Sequence, residues 1–206
     1  MDISSGWAGA DWKNVKSIRL ETVLFRPGAS TDHNPDTRVK LQYDDKFIYG
    51  LFRVKDRYVK AVAKKDQEQV CRDSTVEFFV RPPKSPRYFN FEFNCGGTML
   101  LYDIRNLKAR KYEEVPQEEL DSVIRFHSLP RRIPEEITEP VTWELGFKIP
   151  LDFFVKRAGI KLPLDGQTWT ANFTKCADKT SHPHWLSWAA ARTFHFPKDF
   201  NRLVFE

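Results

Sequence analysis

Hydrophobic and polar residues alternate along most of this chain, and the clearest run covers residues 88–95. In that run three phenylalanines and Cys95 occupy every second position, with Tyr88 and three polar residues between them. Strict alternation over eight residues predicts a strand with one apolar and one polar face. Gly96-Gly97 follows and predicts a two-residue hairpin connection. Similar patterns predict further strands at 17–25, 38–43, 46–54, 75–80, 98–102, 141–149, 169–174 and 202–205.

Helical spacing is limited to short segments. Residues 151–158 follow a proline, place apolar residues three or four positions apart and end at Gly159, which predicts about two helical turns. Residues 116–123 predict one or two more turns, and the charged, proline-rich stretch 106–140 is expected to leave the sheets. With about nine or more strands and no repeat or linker, residues 1–206 are predicted to form a single domain. Its predicted fold class is all-β, an antiparallel, jelly-roll-like β-sandwich.

Composition excludes several classes of protein. Lys plus Arg (33) exceeds Asp plus Glu (28) by 5, but the charges are interleaved, so we predict a solvated surface and no nucleic-acid partner. No run approaches the roughly 20 apolar residues that span a bilayer, so membrane insertion is not expected. The start of the chain has no secretory-signal pattern, which predicts a cytoplasmic protein or a trimmed periplasmic or extracellular one. The three cysteines favour reduced thiols over a disulfide framework.

Two neighbouring predicted strands carry polar side chains that could share a face. If strand 75–80 pairs with strand 88–95, Glu77 lies close to some of Asn90, Glu92 and Asn94. Carboxylates and amides on a rigid sheet offer donors and acceptors to the hydroxyl groups of a ligand. The alternative interpretation is that this face is simply solvated.

The segment 172–188 is the second candidate region. A metal interpretation uses Cys176, His182 and His184 as ligands, although their spacing matches no established zinc pattern. A structural interpretation places Trp185 and Trp188 in the core. A binding interpretation exposes an indole as a flat apolar platform for the C–H face of a sugar ring.

Eight ordered sequence blocks resemble the family 9 carbohydrate-binding modules, and most closely the family-9-like subgroup of stand-alone bacterial proteins. The blocks are Tyr43-Asp44-Asp45 with Ile48-Tyr49, Val54-Lys55-Asp56, Arg72-Asp73-Ser74-x-Val76-Glu77-Phe78-Phe79, 88–97, Ile149-Pro150, Trp169-x-Ala171-Asn172-Phe173-x-Lys175-Cys176, Pro183-His184-Trp185-x-Ser187-Trp188 and Phe194-His195-x-Pro197-x-x-Phe200.

The resemblance implies a β-sandwich that binds sugars and is linked to carbohydrate catabolism and glycoside hydrolases. It implies a clamp of two tryptophans, of which the later falls on Trp188, whereas the earlier position holds Val70-Cys71-Arg72. It also places Glu77 and Asn172 where sugar contacts are expected, and it implies structural calcium, for which the sequence shows no oxygen-rich loop.

We therefore predict a non-catalytic carbohydrate-binding domain that is a monomer or a weak homo-oligomer and needs no cofactor. Arg72 and Lys175 are also predicted to favour an acidic sugar. One alternative is a glycoside hydrolase or lyase that uses Glu77 with Glu92, or a metal held by His182 and His184. The other is a protein-interaction domain whose sugar site has decayed, as Cys71 indicates. Trp188 is the predicted stacking platform, with Trp185 and His184 at the rim of the site. The predicted hydrogen-bonding residues are Arg72, Glu77, Asn90, Glu92, Asn172 and Lys175.

Overall fold

A computed structural model describes residues 1–24, 28–30, 32–106 and 111–206 of the chain. Short 3-10 turns cover Ile3–Ser5, Val70–Arg72 and Pro197–Asp199, and the two α-helices are α1 (Gln117–Asp121) and α2 (Leu151–Ala158). The strands are β1 (Ile18–Arg19), β2 (Thr22–Val23), β3 (Asp36–Tyr43), β4 (Phe47–Asp56), β5 (Val59–Ala61), β6 (Thr75–Arg81), β7 (Tyr88–Asn94), β8 (Met99–Asn106), β9 (Lys111–Glu114), β10 (Ile124–His127), β11 (Ile133–Ile137), β12 (Val141–Pro150), β13 (Thr168–Cys176), β14 (Trp185–Ser187) and β15 (Asn201–Val204).

Two antiparallel sheets face each other, which confirms the predicted sandwich. The first sheet has the strand order β1-β3-β4-β12-β10, and the second has the order β2-β14-β13-β6-β7-β8-β9, with β15 also paired to β13. β11 and β5 form a separate two-stranded ribbon. The predicted strand 17–25 corresponds to β1 and β2, which belong to different sheets, and its end lies outside the described residues.

A phenylalanine-rich core fills the space between the sheets. The ring of Phe78 stacks against Phe147 of the facing sheet and Phe173 of its own, with centroids 5.5 and 5.1 Å away. Phe93 stacks on Phe147 from another strand at 5.5 Å. These side chains are fully buried, so the apolar face that alternation predicts for each strand is the face that packs inward.

Gly50 leaves space in the core for the ring of Phe147. It pairs across β4 and β12 with Phe147, and a Cβ at position 50 would lie 2.1 Å from the Cζ atom of that ring. We expect Gly50→Ala to lower the free energy of unfolding by about 1–3 kcal/mol, because a packed core has no space for the extra methyl group. Urea unfolding measures this loss. The loss should shrink in a Phe147→Leu background, and an equal loss in both backgrounds would contradict the explanation.

Helix α2 ends as its sequence predicts. Gly159 adopts the left-handed conformation, with φ of 64°, and its N–H donates to the carbonyl of Val155.

No helix among the described residues is long and apolar enough to cross a membrane.

Two local predictions were wrong. The connection after β7 is four residues long, 95–98, because the side chain of Asn94 accepts hydrogen bonds from the backbone N–H groups of Gly96 and Thr98 and so shapes a wider turn. The stretch 106–140 does not leave the sheets, since β10 pairs with β12 and β11 pairs with β5. β10 occupies a sheet edge, where polar residues are tolerated because one side meets water.

Candidate functional site

The face of the second sheet that points away from the sandwich core carries a buried pair of carboxyl groups. Glu77 on β6 lies directly opposite Glu92 on β7. Asn90 connects them, since its Nδ2 donates to Glu77 Oε2 at 3.1 Å and to Glu92 Oε1 at 2.7 Å. All three side chains are less than 5% exposed. The structure therefore brings together the polar residues that the alternation pattern placed on one face.

A cavity of about 250 Å³ opens above this pair. The turn Val70–Arg72 supplies Cys71 to one side, and the segment after β14 supplies Phe194 and His195. The residues around the cavity are Gln69, Cys71, Glu77, Glu92, Leu100, Tyr102, Cys176, Asp178, Trp185, Phe194 and His195.

Burial makes ionisation of this pair unfavourable. It raises the pKa of Glu77 to about 7. Burial also raises the pKa of Glu92 well above its ordinary value, and the nearby charge of Glu77 raises it further. At neutral pH the pair therefore retains protons that exposed carboxyl groups would have released.

The floor of the cavity has unused hydrogen-bonding capacity. Among the described residues, Glu92 Oε2 and Asn90 Oδ1 are buried and have no hydrogen-bond partner. Glu77 is better satisfied, because the thiol of Cys176 donates to its Oε1 at 3.3 Å. Buried acceptors without donors cost free energy, so a ligand that donates to this floor would be stabilised.

The two candidate tryptophans point in different directions. Trp185 on β14 is 7% exposed and belongs to a buried apolar cluster with Phe194, but it lines the cavity, and its Nε1 donates to Asp178 Oδ1 at 2.7 Å, which holds the indole in place. Trp188, three positions later, is partly buried; it packs against the edge of the core beside Phe173, at a centroid distance of 5.5 Å, and does not line the cavity. Positions an odd number apart on an extended chain face opposite sides, which explains the difference.

Lys175 is buried between the two sheets and lies behind the cavity, not in it. Its Nζ lies 2.7 Å from His184 Nε2 and 3.5 Å from Asp56 Oδ2, and it donates to the carbonyl oxygen of Cys176 at 3.1 Å. Trp143 also donates to Asp56 from its Nε1, at 3.2 Å. The predicted roles of Lys175 as a sugar contact and of His184 at the rim therefore find no support in their positions.

This buried network controls the charge of its members. Burial alone would raise the pKa of Asp56, but the Lys175 ammonium and the hydrogen bond to His33 together outweigh it and hold that pKa well below its usual range. Burial, together with the charge of Lys175, lowers the pKa of His184 to about 3, so the imidazole is neutral.

The hypothesised metal ligands are not brought together. Cys176 contacts Glu77 on the cavity side, His184 lies on the other face, and the ring of His182 stacks on Tyr58 at 3.5 Å. Within the described part of the chain, His33, Asp56 and His184 place ligand atoms within 4.8 Å of one another. Because Lys175 already places a positive charge against two of these groups, they do not form a good cation site. Structural calcium stays a prediction.

Two other predicted residues lie apart from the cavity. Arg72 is exposed and lines a separate depression with Val62 and Glu68. Asn172 is fully buried, and its Oδ1 accepts from the backbone N–H of Ala189 at 2.8 Å, so it holds the segment after β14.

Sequence reasoning missed several residues of the cavity. Leu100 and Tyr102 lie two positions apart on β8, which neighbours β7, and the same alternation could have placed them on this face. Phe194 and His195 belong to a sequence block noted above, but only the fold shows that the block reaches the cavity. Asp178, just after β13, gave no separate signal.

Comparisons with known proteins agree with this architecture. A family model described as carbohydrate-binding family 9 matches residues 10–205. A crystal structure of a protein from Bacteroides uniformis ATCC 8492, provisionally described as carbohydrate-binding, is 32% identical, with a TM-score of 0.84 over 98% of this chain and 92% of that one. Comparison with curated proteins gives no match.

More distant structures show the same fold. A family 9 carbohydrate-binding module from Caldicellulosiruptor kristjanssonii, solved with glucose, has a TM-score of 0.67 at 13% identity and covers 100% of this chain and 92% of that one. The structure of such a module with cellotriose has the same score and identity and covers 100% and 90%.

Proposed function

The chain belongs to carbohydrate-binding family 9, and we propose that it binds a sugar, without cleaving it, in the cavity between Trp185 and the Glu77–Glu92 pair. The observation that carries this proposal is the combination of an indole wall and an acceptor-rich floor in one cavity. A pyranose ring has apolar C–H faces and hydroxyl groups around its edge. The indole of Trp185 would cover one face while the hydroxyl groups donate to the floor.

The second aromatic wall differs from the two-tryptophan clamp that the family resemblance implies. Cys71 lines the cavity on the turn where the earlier tryptophan would stand. On the other side, Tyr102 lies on β8, separated from Trp185 on β14 by three strands. We infer that Trp185 and Tyr102 provide the aromatic surface of this site, and that Trp188 serves the core.

The size of the cavity favours a small ligand. Its volume of about 250 Å³ lies below the roughly 300–1,000 Å³ of sites for drug-sized molecules. A single sugar ring, free or at the end of a chain, is the ligand that this volume supports. The Caldicellulosiruptor kristjanssonii module was solved with glucose and with cellotriose, which supports the same class of ligand here.

The arrangement of the carboxyl groups supports binding without catalysis. Glycoside hydrolases place two carboxyl groups on either side of the bond that they break. Glu77 and Glu92 instead lie side by side in the floor on adjacent strands and share the amide of Asn90. The prediction of a monomer or a weak homo-oligomer remains part of this proposal.

Trp185→Ala is expected to weaken sugar binding at least about tenfold, because the variant loses the stacking surface while the polar floor remains. Isothermal titration calorimetry against neutral mono- and oligosaccharides measures the affinity. Trp7→Ala is the matched control, since Trp7 packs beside Tyr49 and Leu51 of the other sheet, and it should bind as the wild type does. Absence of binding to any sugar, or equal affinity of the Trp185 variant and the wild type, would contradict the proposal.

A further inference from the structure

When its two carboxyl groups are ionised, the floor of the cavity accepts hydrogen bonds but has little to donate. The amide group of Asn90 already directs its Nδ2 donors to Glu77 and Glu92. Among the buried side-chain atoms that have no partner in the described part of the chain are Glu92 Oε2, on a residue that lines the cavity, and Asn90 Oδ1, on its neighbour in the sheet; both are acceptors when Glu92 is ionised. A ligand that satisfies this floor must therefore bring donors.

The positive groups that would attract an acidic sugar lie elsewhere. Lys175 is buried on the opposite face of the sheet, against Asp56 and His184. Arg72 is exposed and lines a different depression. Among the described residues around the cavity, acidic groups predominate: the acidic side chains are Glu77, Glu92 and Asp178, and the basic one is His195.

Resting on the proposed function, we propose that this site prefers an amino sugar with a free ammonium group, a hexosamine, over a neutral hexose, and that it disfavours uronic acids. An ammonium group carries three donors and can bond to Glu77 and Glu92 together. Hydrogen bonds between two charged groups are roughly twice as strong as those between neutral groups. The preference follows from the geometry of two opposed carboxyl groups that share one amide.

The burial of the two carboxyl groups increases the expected preference for an ammonium group over a neutral or an acidic sugar. In the empty cavity, burial raises the pKa of both carboxyl groups, which opposes their ionisation. A bound ammonium group offsets the negative charge and favours the ionised forms. A uronate would instead place a third carboxylate beside the pair, and acetylation of the amine would remove the positive charge.

Calorimetry at about pH 7, where amines are still mostly protonated and Glu77, with a pKa of about 7, is partly ionised, tests this preference. The probes are glucosamine, glucose, N-acetylglucosamine and glucuronate at equal ionic strength. Glucosamine is expected to bind at least about tenfold more tightly than glucose, a difference of roughly 1.4 kcal/mol, and glucuronate should bind most weakly. If glucose binds as tightly as glucosamine, the inference is overturned while the proposed function stands. If none of these sugars or their oligomers binds, the proposed function itself fails.

Glu92→Gln provides the test at the level of the residue. The amide keeps the shape of the side chain but removes its charge, so the affinity ratio of glucosamine to glucose should fall to about two or three. Glu118→Gln is the control, because Glu118 is exposed on helix α1 and does not line the cavity, and its ratio should stay at the wild-type value. Glu77→Gln, expected to act as Glu92→Gln does, provides a second variant if the first does not fold. An unchanged ratio in the folded variants would overturn the inference.

Discussion

Lys175→Ala is expected to lower the free energy of unfolding by about 3–5 kcal/mol, the range for removing one member of a buried ion pair. Lys175 and Asp56 are both fully buried at the level of their side chains, and they join the two sheets of the sandwich. Without the ammonium group, the Asp56 carboxylate would be left in the interior with His33, the indole of Trp143 and one backbone N–H as its remaining partners. The cost arises mainly from that uncompensated charge.

Urea unfolding followed by circular dichroism measures the loss of free energy. In thermal unfolding, a domain of this size should lose roughly 6–20 °C in Tm. Lys179→Ala is the matched control, since Lys179 is exposed a few residues away and should change stability by less than about 0.5 kcal/mol. A paired variant, Lys175→Met with Asp56→Asn, should recover a large part of the loss because it removes both charges. A loss below about 1 kcal/mol for Lys175→Ala would show that the pair contributes little.

The stability of the domain is expected to reach its maximum near pH 4.5–5, below neutrality. In the folded protein, burial raises the pKa of Glu77 to about 7, from an ordinary value of 4.5, and it raises that of Glu92 as well. Between pH 7 and 4.5 the folded state therefore binds more protons at this pair than the unfolded chain does. The contribution of Glu77 and Glu92 to the free energy of unfolding is therefore fully present below pH 4.5 and is lost as the pH rises toward 7 and above.

The buried network of Lys175 has the opposite effect. The pKa of His184 is lowered from 6.5 to about 3, so the unfolded chain takes up a proton in this window and the folded protein does not. Stability from His184 is therefore lost as the pH falls from 6.5 to 3. Asp56, with a pKa lowered from 3.8, adds to the loss below about pH 4. Below pH 4.5 these losses continue, and Asp44 and Glu119, whose pKa values are also lowered by hydrogen bonds, add to them; we expect a fall of at least about 3 kcal/mol between pH 4.5 and 3.

Urea unfolding midpoints measured at closely spaced pH values give this profile. The variant Glu92→Gln should flatten the profile between pH 4.5 and 6.5. In that range the folded state of the variant binds one extra proton at Glu77, and the unfolded state binds one extra proton at His184, so the two effects cancel. A wild-type maximum at neutral pH, or a profile that Glu92→Gln leaves unchanged, would contradict the assignment of the carboxyl pair.

Local pattern was sufficient for most of the strands and for helix α2. Alternation over residues 88–95 predicted β7, and the proline and Gly159 bounded α2 at Leu151–Ala158. These signals work because side-chain direction repeats every two residues in a strand, and because only a few residue types begin or end a helix readily. The same local information failed at residues 124–127, where a polar segment joins a sheet through pairing with the distant β12.

The candidate site was predictable only in part. Glu77, Asn90 and Glu92 could be placed on one face because adjacent strands pair in register. The sequence prediction makes Trp188 the platform and Trp185 part of the rim, and it had no local pattern to separate them, because β14 is only three residues long and a short strand carries little alternation. Cys71, Phe194 and His195 reach the cavity through turns and loops, whose paths depend on contacts distant in the sequence.

The amino-acid sequence by itself determined an aromatic-rich antiparallel sandwich and a polar face with a pair of carboxyl groups, because both follow from the two-residue period of a strand. It did not determine which polar residues face the ligand. Lys175 and Cys176 are adjacent in β13 and both buried, yet Lys175 points between the sheets toward Asp56 and Cys176 toward Glu77 in the cavity. A strand covered on both sides carries buried residues on both faces, so only the packing of the first sheet against this one decided which face carries the candidate cavity.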